Sequence, residues 1–250
     1  MQTIRYIRLE GLDSTNTYAK NNAYAFTDEF TVIQADVQYR GRGRLDRTFI
    51  SDTSDGAWFS LVIKPKDYVI TPEQVMLMPI MAGAAVAEGI SQMYDIKSGI
   101  KWPNDVLINN KKVCGILCET QTMQNSVPLI VIGVGINMNQ TVMHPEISDI
   151  ATSMRIETAM EMPVECMIQN ICGNILPLYD KIKQEQTACI INKWNEYSLM
   201  NNVTITYIKE QVLYNVLSKG IDMDGRLVIE QDGQTKCLDS NEVRLKIQGV

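Results

Sequence analysis

A chain of 250 residues, 45% of them hydrophobic, is long enough to bury a substantial core without disulfide staples, as one large domain or as a large domain with a small one. A net charge of −6 argues against the broad basic face of a nucleic-acid binder, and no uninterrupted apolar run reaches the roughly 18–20 residues of a membrane span. Cys114, Cys118, Cys166, Cys172, Cys189 and Cys237 form no C-x-x-C pair or regular framework, and no basic-then-apolar segment opens the chain, so a reducing cytoplasm is expected.

Ile4 to Leu9 alternates as an edge strand does, and Asp13-Ser14-Thr15-Asn16 then supplies good N-cap residues for a short helix. Capping alone accounts for such residues, although free N–H groups and hydroxyls at a helix start also hold polar ligand heads. Thr31 to Ala35 reads as a strand leading into Gln38-Tyr39-Arg40-Gly41-Arg42-Gly43-Arg44-Leu45-Asp46-Arg47-Thr48-Phe49, and Ala57 to Ile63 as the strand leading out. Four arginines and two glycines in twelve residues cannot be a buried element. Glycine permits close backbone approach and guanidinium forks match carboxylate or phosphate oxygens, so the segment reads as an anion site; a solvated loop or a nucleic-acid patch is the plainer reading. The connection runs to about twenty residues, longer than structureless loops usually are, and is expected to order on ligand binding.

Thr71-Pro72-Glu73-Gln74 carries a capping box with proline at the first helical position, and the helix it starts is apolar on nearly all sides from Val75 to Ile90, a core helix with packing methionines. Ile100-Lys101-Trp102 is expected as a strand interrupted by Pro103-Asn104-Asp105 and resumed by Val106 to Ile108. Asn109-Asn110 then turns the chain into a strand over 112–119. Lys101 alone reads as a surface lysine; beside a strand break and opposite a glycine-rich strand end it becomes a site candidate. Cys114 and Cys118, four apart on that strand, read as core thiols. Val131 to Asn139 is expected as a central strand in which Gly133 and Gly135 mark close approach by a ligand or tight packing, and Asn137 offers an amide suited to an adenine edge. His144, the one histidine, lacks a nucleophile motif and is taken as structural. Apolar positions from Val164 to Ile182 repeat at helical spacing with a kink expected at Pro177, and a second helix runs through Ile190, Ile191 and Trp194. From Val203 short strands with Asp224-Gly225 and Asp232-Gly233 turns predict a small all-β unit.

In their order and separations, the segments at Asp13 to Asn16, Gln38 to Arg47, Lys101 to Ile108 with Lys112 to Leu117, and Val131 to Asn139 resemble the catalytic domain of the biotin–protein ligases. The resemblance implies an α+β fold, a mixed and largely antiparallel sheet with helices over 1–200, followed by a small β-barrel over 201–250. It implies activation of biotin by ATP to biotinyl-5′-AMP with release of pyrophosphate, and transfer to a lysine of a biotin carboxyl carrier domain. Ser14, Thr15 and Asn16 are then placed at the ureido ring, and Gln38, Gly41, Arg42, Gly43, Arg44, Gly115 and Asn137 around biotin and the nucleotide. Arg44 and Lys101 fall at the reacting carboxyl and phosphate. Magnesium accompanies ATP, with Asp105 as a candidate ligand, and no tightly bound prosthetic group is implied. The charge inventory agrees, because bringing a carboxylate to an α-phosphate requires fixed cations.

The chain departs from the family pattern at Asp46, where a glycine is usual, and at Phe49, where a tryptophan is usual; Asp46 could pair with Arg47 or Arg44 in the empty state. The rival readings are a lipoate or octanoate ligase of the same fold, which needs a long apolar pocket, and a non-catalytic biotin binder disabled at Asp46. The pattern begins almost at the start of the chain, so no DNA-regulating segment is expected within it. Exposed sheet edges would permit a homodimer without requiring one.

Overall fold

The computed structural model describes residues 3–45, 47–66, 68–123, 128–209, 212–240 and 244–247. Asp46, and with it the expected pairing to Arg47 or Arg44, lies outside them.

A seven-stranded sheet forms from β1 (Ile4–Leu12), β2 (Phe30–Gln38), β3 (Gly56–Ile63), β4 (Gly99–Lys101), β5 (Asp105–Ile108), β6 (Lys111–Thr122) and β7 (Pro128–Asn137), in the order β1-β2-β3-β7-β6-β5-β4. Helix α1 (Thr15–Asn21) carries the chain from β1 to β2, and that helical crossover lets the two run parallel; every other neighbour is antiparallel. β1 is the expected edge strand and β7 the expected centre. Side-chain alternation divides the layers. Phe59, Leu61 and Ile63 of β3 and Ile132, Val134 and Ile136 of β7 join the core under α3 (Met78–Met93), α5 (Val164–Lys183) and α6 (Thr187–Tyr197), while Ile33, Val62, Leu129 and Val131 pack with Ala19 and Ala23 on the α1 side.

Two expectations are corrected. The helix foreseen as continuous from Val75 is broken at Leu77 into α2 (Pro72–Met76) and α3, because Pro79 has no N–H to give the preceding turn. The capping box itself is present, with the Gln74 side chain accepting from the Thr71 N–H at 2.9 Å and the Gln74 N–H donating to the Thr71 hydroxyl at 3.3 Å. The segment 100–108 is not one interrupted strand but two antiparallel ones, since the chain reverses at Trp102-Pro103-Asn104 and sets Lys101 opposite Asp105. The stretch Pro72–Met93 is long and apolar enough to cross a membrane, yet 72% of its most apolar window is buried inside the protein.

Turn chemistry matches the sequence closely. Asn109 and Asn110 both take positive φ (48° and 66°), as do Asp232 and Gly233 (53° and 73°), the geometry that two-residue hairpins need. α4 (Met154–Thr158) precedes α5, which contains Pro177 within its span. β8 (Asn201–Lys209), β9 (Val212–Ile221), β10 (Leu227–Gln231), β11 (Gln234–Leu238) and β12 (Arg244–Ile247) form a separate antiparallel sheet in the order β11-β10-β9-β8-β12. It is not insulated from the large one. Ile205, Val216, Leu227 and Ile229 belong to the same buried cluster as Met78 and Trp194, and the Trp102 indole N–H donates to the Gly225 carbonyl at 2.9 Å.

Candidate functional site

Strand pairing sets Ser60 of β3 opposite Gly133 of β7, and Gly135 between Trp58 of β3 and Gly115 of β6. The two β7 glycines thereby open a floor on the α1 side of the sheet. A Cβ at Gly133 would stand 2.2 Å from Asn16 Oδ1, and one at Gly135 would stand 2.8 Å from Phe49 Cε1. Only residues without side chains allow these approaches. A small cavity of about 40 Å³ results, lined among others by Ser14, Thr15, Asn16, Gln38, Arg42, Phe49, Gly115, Gly133 and Gly135.

Ser14 occupies the N-cap position of α1 with extended backbone, but its side chain makes no capping hydrogen bond and lines the cavity instead. Capping therefore does not explain it. Thr15 and Asn16 are buried, and a polar network ties them to three strands. The Thr15 N–H donates to Gln38 Oε1 at 2.9 Å, Gln38 Nε2 donates to the Ser51 hydroxyl at 3.1 Å, and the Ser60 hydroxyl donates to Asn16 Oδ1 at 2.6 Å while lying 2.7 Å from Thr15 Oγ1.

The arginine-rich connection folds back on itself as an irregular hairpin, with Gln38 bridged to Ser51 and Arg42 to Thr48. Gly41 accepts the Phe49 N–H at 2.9 Å and Gly43 donates to the Arg47 carbonyl at 2.7 Å. Arg42 reaches across the cavity mouth and donates to both oxygens of Glu119, at 3.0 and 2.9 Å. Glu119 also accepts from Lys20 Nζ at 2.6 Å and from Asn16 Nδ2 at 2.9 Å. Burial pushes its carboxyl up, but Lys20, Asn16 and Arg42 more than offset that and hold it below the ordinary carboxylate range. Arg44, whose guanidinium burial pulls down against the attraction of Asp105, donates to Asn104 Oδ1 at 3.4 Å and to the Ser240 carbonyl of the small sheet.

The β5 pairing ends at Gly115, and Asn104 then covers Ile116, its carbonyl accepting the Ile116 N–H at 2.9 Å and its side-chain amide donating to the Ile116 carbonyl at 2.7 Å, so the strand presents an open edge only beyond Ile116. A second cavity of about 840 Å³ wraps that edge, between Arg44, Met76, Trp102, Asn104 and Cys118 on the large sheet's side and Asp224 and Ser240 on the small sheet's. Arg42, Ile116 and Leu117 line both cavities, so the two meet there.

The structure thus brings together Ser14, Thr15, Asn16, Gln38, Arg42 and Gly115 in the small cavity and Arg42, Gly43 and Arg44 in the large one, with the buried Gly41 bracing the loop. Lys101 ends β4 one residue before Trp102 and lines neither cavity. Asn137 is buried at the end of β7, where its amide donates to the Thr152 carbonyl at 2.9 Å and also lines neither. Asp105 is paired with Lys112 Nζ at 2.6 Å. No group of three or more His, Cys, Asp or Glu suited to a metal occurs among the described residues, and the Asp105 carboxylate offered for magnesium is engaged by Lys112. Sequence reasoning missed Ser60, Ser51 and Glu119. The one available signal was the period-two spacing of Gly115, Leu117 and Glu119, and it has meaning only once β6 is laid against β7.

Comparison with known proteins matches residues 9–137 to the biotin/lipoate A/B protein ligase family. The chain is similar to the bifunctional ligase/repressor BirA of Bacillus subtilis, 32% identical over 236 residues covering 94% of this chain and 72% of that protein. It is also similar to the biotin–[acetyl-CoA-carboxylase] ligase of Paracoccus denitrificans, 32% identical over 126 residues, 50% of this chain and 51% of that one. Among solved structures, a biotin protein ligase from Aquifex aeolicus in complex with biotin and ATP superposes with a TM-score of 0.82 at 27% identity, covering 97% of this chain and 99% of that one.

Proposed function

The chain belongs to the biotin/lipoate A/B protein ligase family, and on that premise we propose how its residues divide the work of a biotin–protein ligase. The enzyme uses biotin and ATP. The biotin carboxylate attacks the α-phosphorus and pyrophosphate leaves; the ε-amine of an acceptor lysine then attacks the acyl carbon and AMP leaves. We take that lysine to lie on a biotin carboxyl carrier domain, and the enzyme to act in a reducing cytoplasm, a reading supported by six cysteines without a disulfide.

The single observation that carries the division of labour is the meeting of a small polar cavity and a large one at Arg42. The network of Thr15, Asn16, Gln38 and Ser60 supplies donors and acceptors suited to a ureido ring, and the acid end of the bound vitamin then points to the junction. There Arg42 and Arg44 offset the repulsion between carboxylate and α-phosphate, and the large cavity takes the nucleotide. Lys101, one residue before the Trp102 that lines the large cavity, is the further cation assigned to the reacting carboxyl and phosphate. Asn137 acts as a brace for Thr152. Magnesium comes in with ATP, held by phosphate oxygens and water, and no step rests on a protein ligand for it.

The test is incubation of the protein with ATP and biotin, lipoate or octanoate in parallel, with pyrophosphate measured and the adenylate sought by mass spectrometry, followed by addition of a carrier domain. Biotinyl-AMP and a biotinylated lysine are expected. Adenylate from lipoate or octanoate alone would overturn the assignment of the pocket, and biotin binding without pyrophosphate release would leave a binder rather than an enzyme.

A further inference from the structure

The Glu119 carboxylate receives four hydrogen bonds from three side chains that belong to two different segments, and none of the motifs that mark the site includes it. It lies on β6 two residues beyond Leu117 and so points to the same face as the cavity floor. Its side chain is 18% exposed, and its partners are Asn16 and Lys20 of α1 and Arg42 of the arginine hairpin. An ionised carboxylate only accepts. Asn16 Nδ2 therefore faces it, and the Leu117 carbonyl at 3.1 Å, another acceptor, selects the same orientation. With the amide nitrogen committed there, Asn16 Oδ1 must turn toward Ser60 and Gly133. Ser60 has one proton, and giving it to Asn16 obliges the Thr15 hydroxyl to donate to Ser60 at 2.7 Å, while Gln38 Oε1 accepts the Thr15 N–H. The lone pairs left over at Thr15 and Asn16 then face the cavity as acceptors.

We propose that Glu119 is a positioning residue for biotin: it sets the proton direction of the cavity network so that acceptors meet the ureido N–H groups, and it holds Arg42 over the cavity mouth. This deepens the biotin–protein ligase reading and rests on it. The carboxylate touches no substrate; it acts through Asn16 and Arg42. Lys20, its shortest partner at 2.6 Å, supplies the charge that keeps it ionised next to the cavity.

The experiment measures biotin binding by titration calorimetry, beside the KM for ATP, in the wild type and in Glu119→Gln. Loss of charge-assisted hydrogen bonds is expected to weaken biotin by about tenfold or more and to raise the ATP KM by less than that, since Arg42 also borders the large cavity. Discrimination against a biotin analogue methylated at one ureido nitrogen is expected to collapse as well, which a loss of packing alone would not produce. Asn16→Asp should abolish biotin binding, because it turns an oxygen onto both the Glu119 carboxylate and the Leu117 carbonyl. Glu119→Asp keeps a carboxylate that only accepts and should retain the discrimination that Glu119→Gln loses, and it answers the question if Glu119→Gln alone fails to fold. A wild type that binds no biotin sinks the ligase reading. A wild type that binds while Glu119→Gln keeps its affinity and discrimination, or a Glu119→Asp variant that loses the discrimination, sinks the role given to Glu119.

Discussion

Gly133 shows how much one absent side chain decides. A methyl there would stand 2.2 Å from Asn16 Oδ1, so Gly133→Ala must displace either Asn16 or the central strand. Overpacking of this kind costs about 1–3 kcal/mol. The expected result is a stable but weakened fold that binds biotin poorly, read from urea unfolding and a binding titration; unchanged affinity would mean the cavity floor lies elsewhere. Glu119 sets a pH dependence at the same scale. Its folded carboxyl is held below the ordinary value of 4.5, so its contribution to stability is complete above that value and is lost as pH falls through the depressed one. The gap in unfolding midpoint between wild type and Glu119→Gln should be constant near neutrality and close below about pH 4.5, and a gap independent of pH would show that the charge contributes nothing. Neither residue's role was readable alone. Gly133 was recognisable as a close approach without any indication of what approached, and Glu119 carried no signal until its strand had neighbours.

Among the elements, the arginine hairpin and the open edge of β6 make one working unit. Arg42 closes the hairpin onto Glu119 and Arg44 stretches it to Asn104 and the Ser240 carbonyl, so the segment is fastened at both cavities. Closing it over an acyl-adenylate would exclude water. Arg44→Ala removes both of that residue's fastenings, and free biotinyl-AMP is then expected to accumulate in solution without carrier, detected by mass spectrometry of a protein-free filtrate. Release no faster than the wild type's would refute the clasp. The sequence marked this hairpin by composition, and it marked the Asn109-Asn110 and Asp232-Gly233 turns by residue type, because left-handed backbone favours so few residues. It failed at the break between α2 and α3 and at the β4–β5 reversal. Both errors come from proline, whose effect depends on whether the chain continues or turns back around it, a choice made by the partner strands and helices.

At the scale of the molecule, the two sheets are separate in hydrogen bonding and joined in their core. Helix α6 ends at Tyr197 and the small sheet begins at Asn201; a division there into 1–200 and 201–250 is a proposal about folding units, and cooperativity is its measure. Since Ile205 and Leu227 share a buried cluster with Met78 and Trp194, and Trp102 donates to Gly225, the chain is expected to unfold in one calorimetric transition. Trp102→Phe leaves the Gly225 carbonyl without its donor and should lower stability by about 1–3 kcal/mol, still in one transition. Two resolved transitions in the wild type would mean the small sheet folds by itself.

Element types, turn positions and the crowding of arginines at 38–49 were legible in local chemistry: which residues tolerate positive φ, which periodicities bury a face, and which charges crowd one loop; the family was read from the resemblance of four motifs in order. Folding alone decided that Glu119, 77 residues from Arg42, would face it, that Ser60 would lie across from Gly133, and that the Asn137 amide would be spent on the Thr152 carbonyl. The physical reason is register. A strand's neighbours are chosen by the burial of whole faces, and a cavity assembled from four strands and a helix start exists only after that choice has been made.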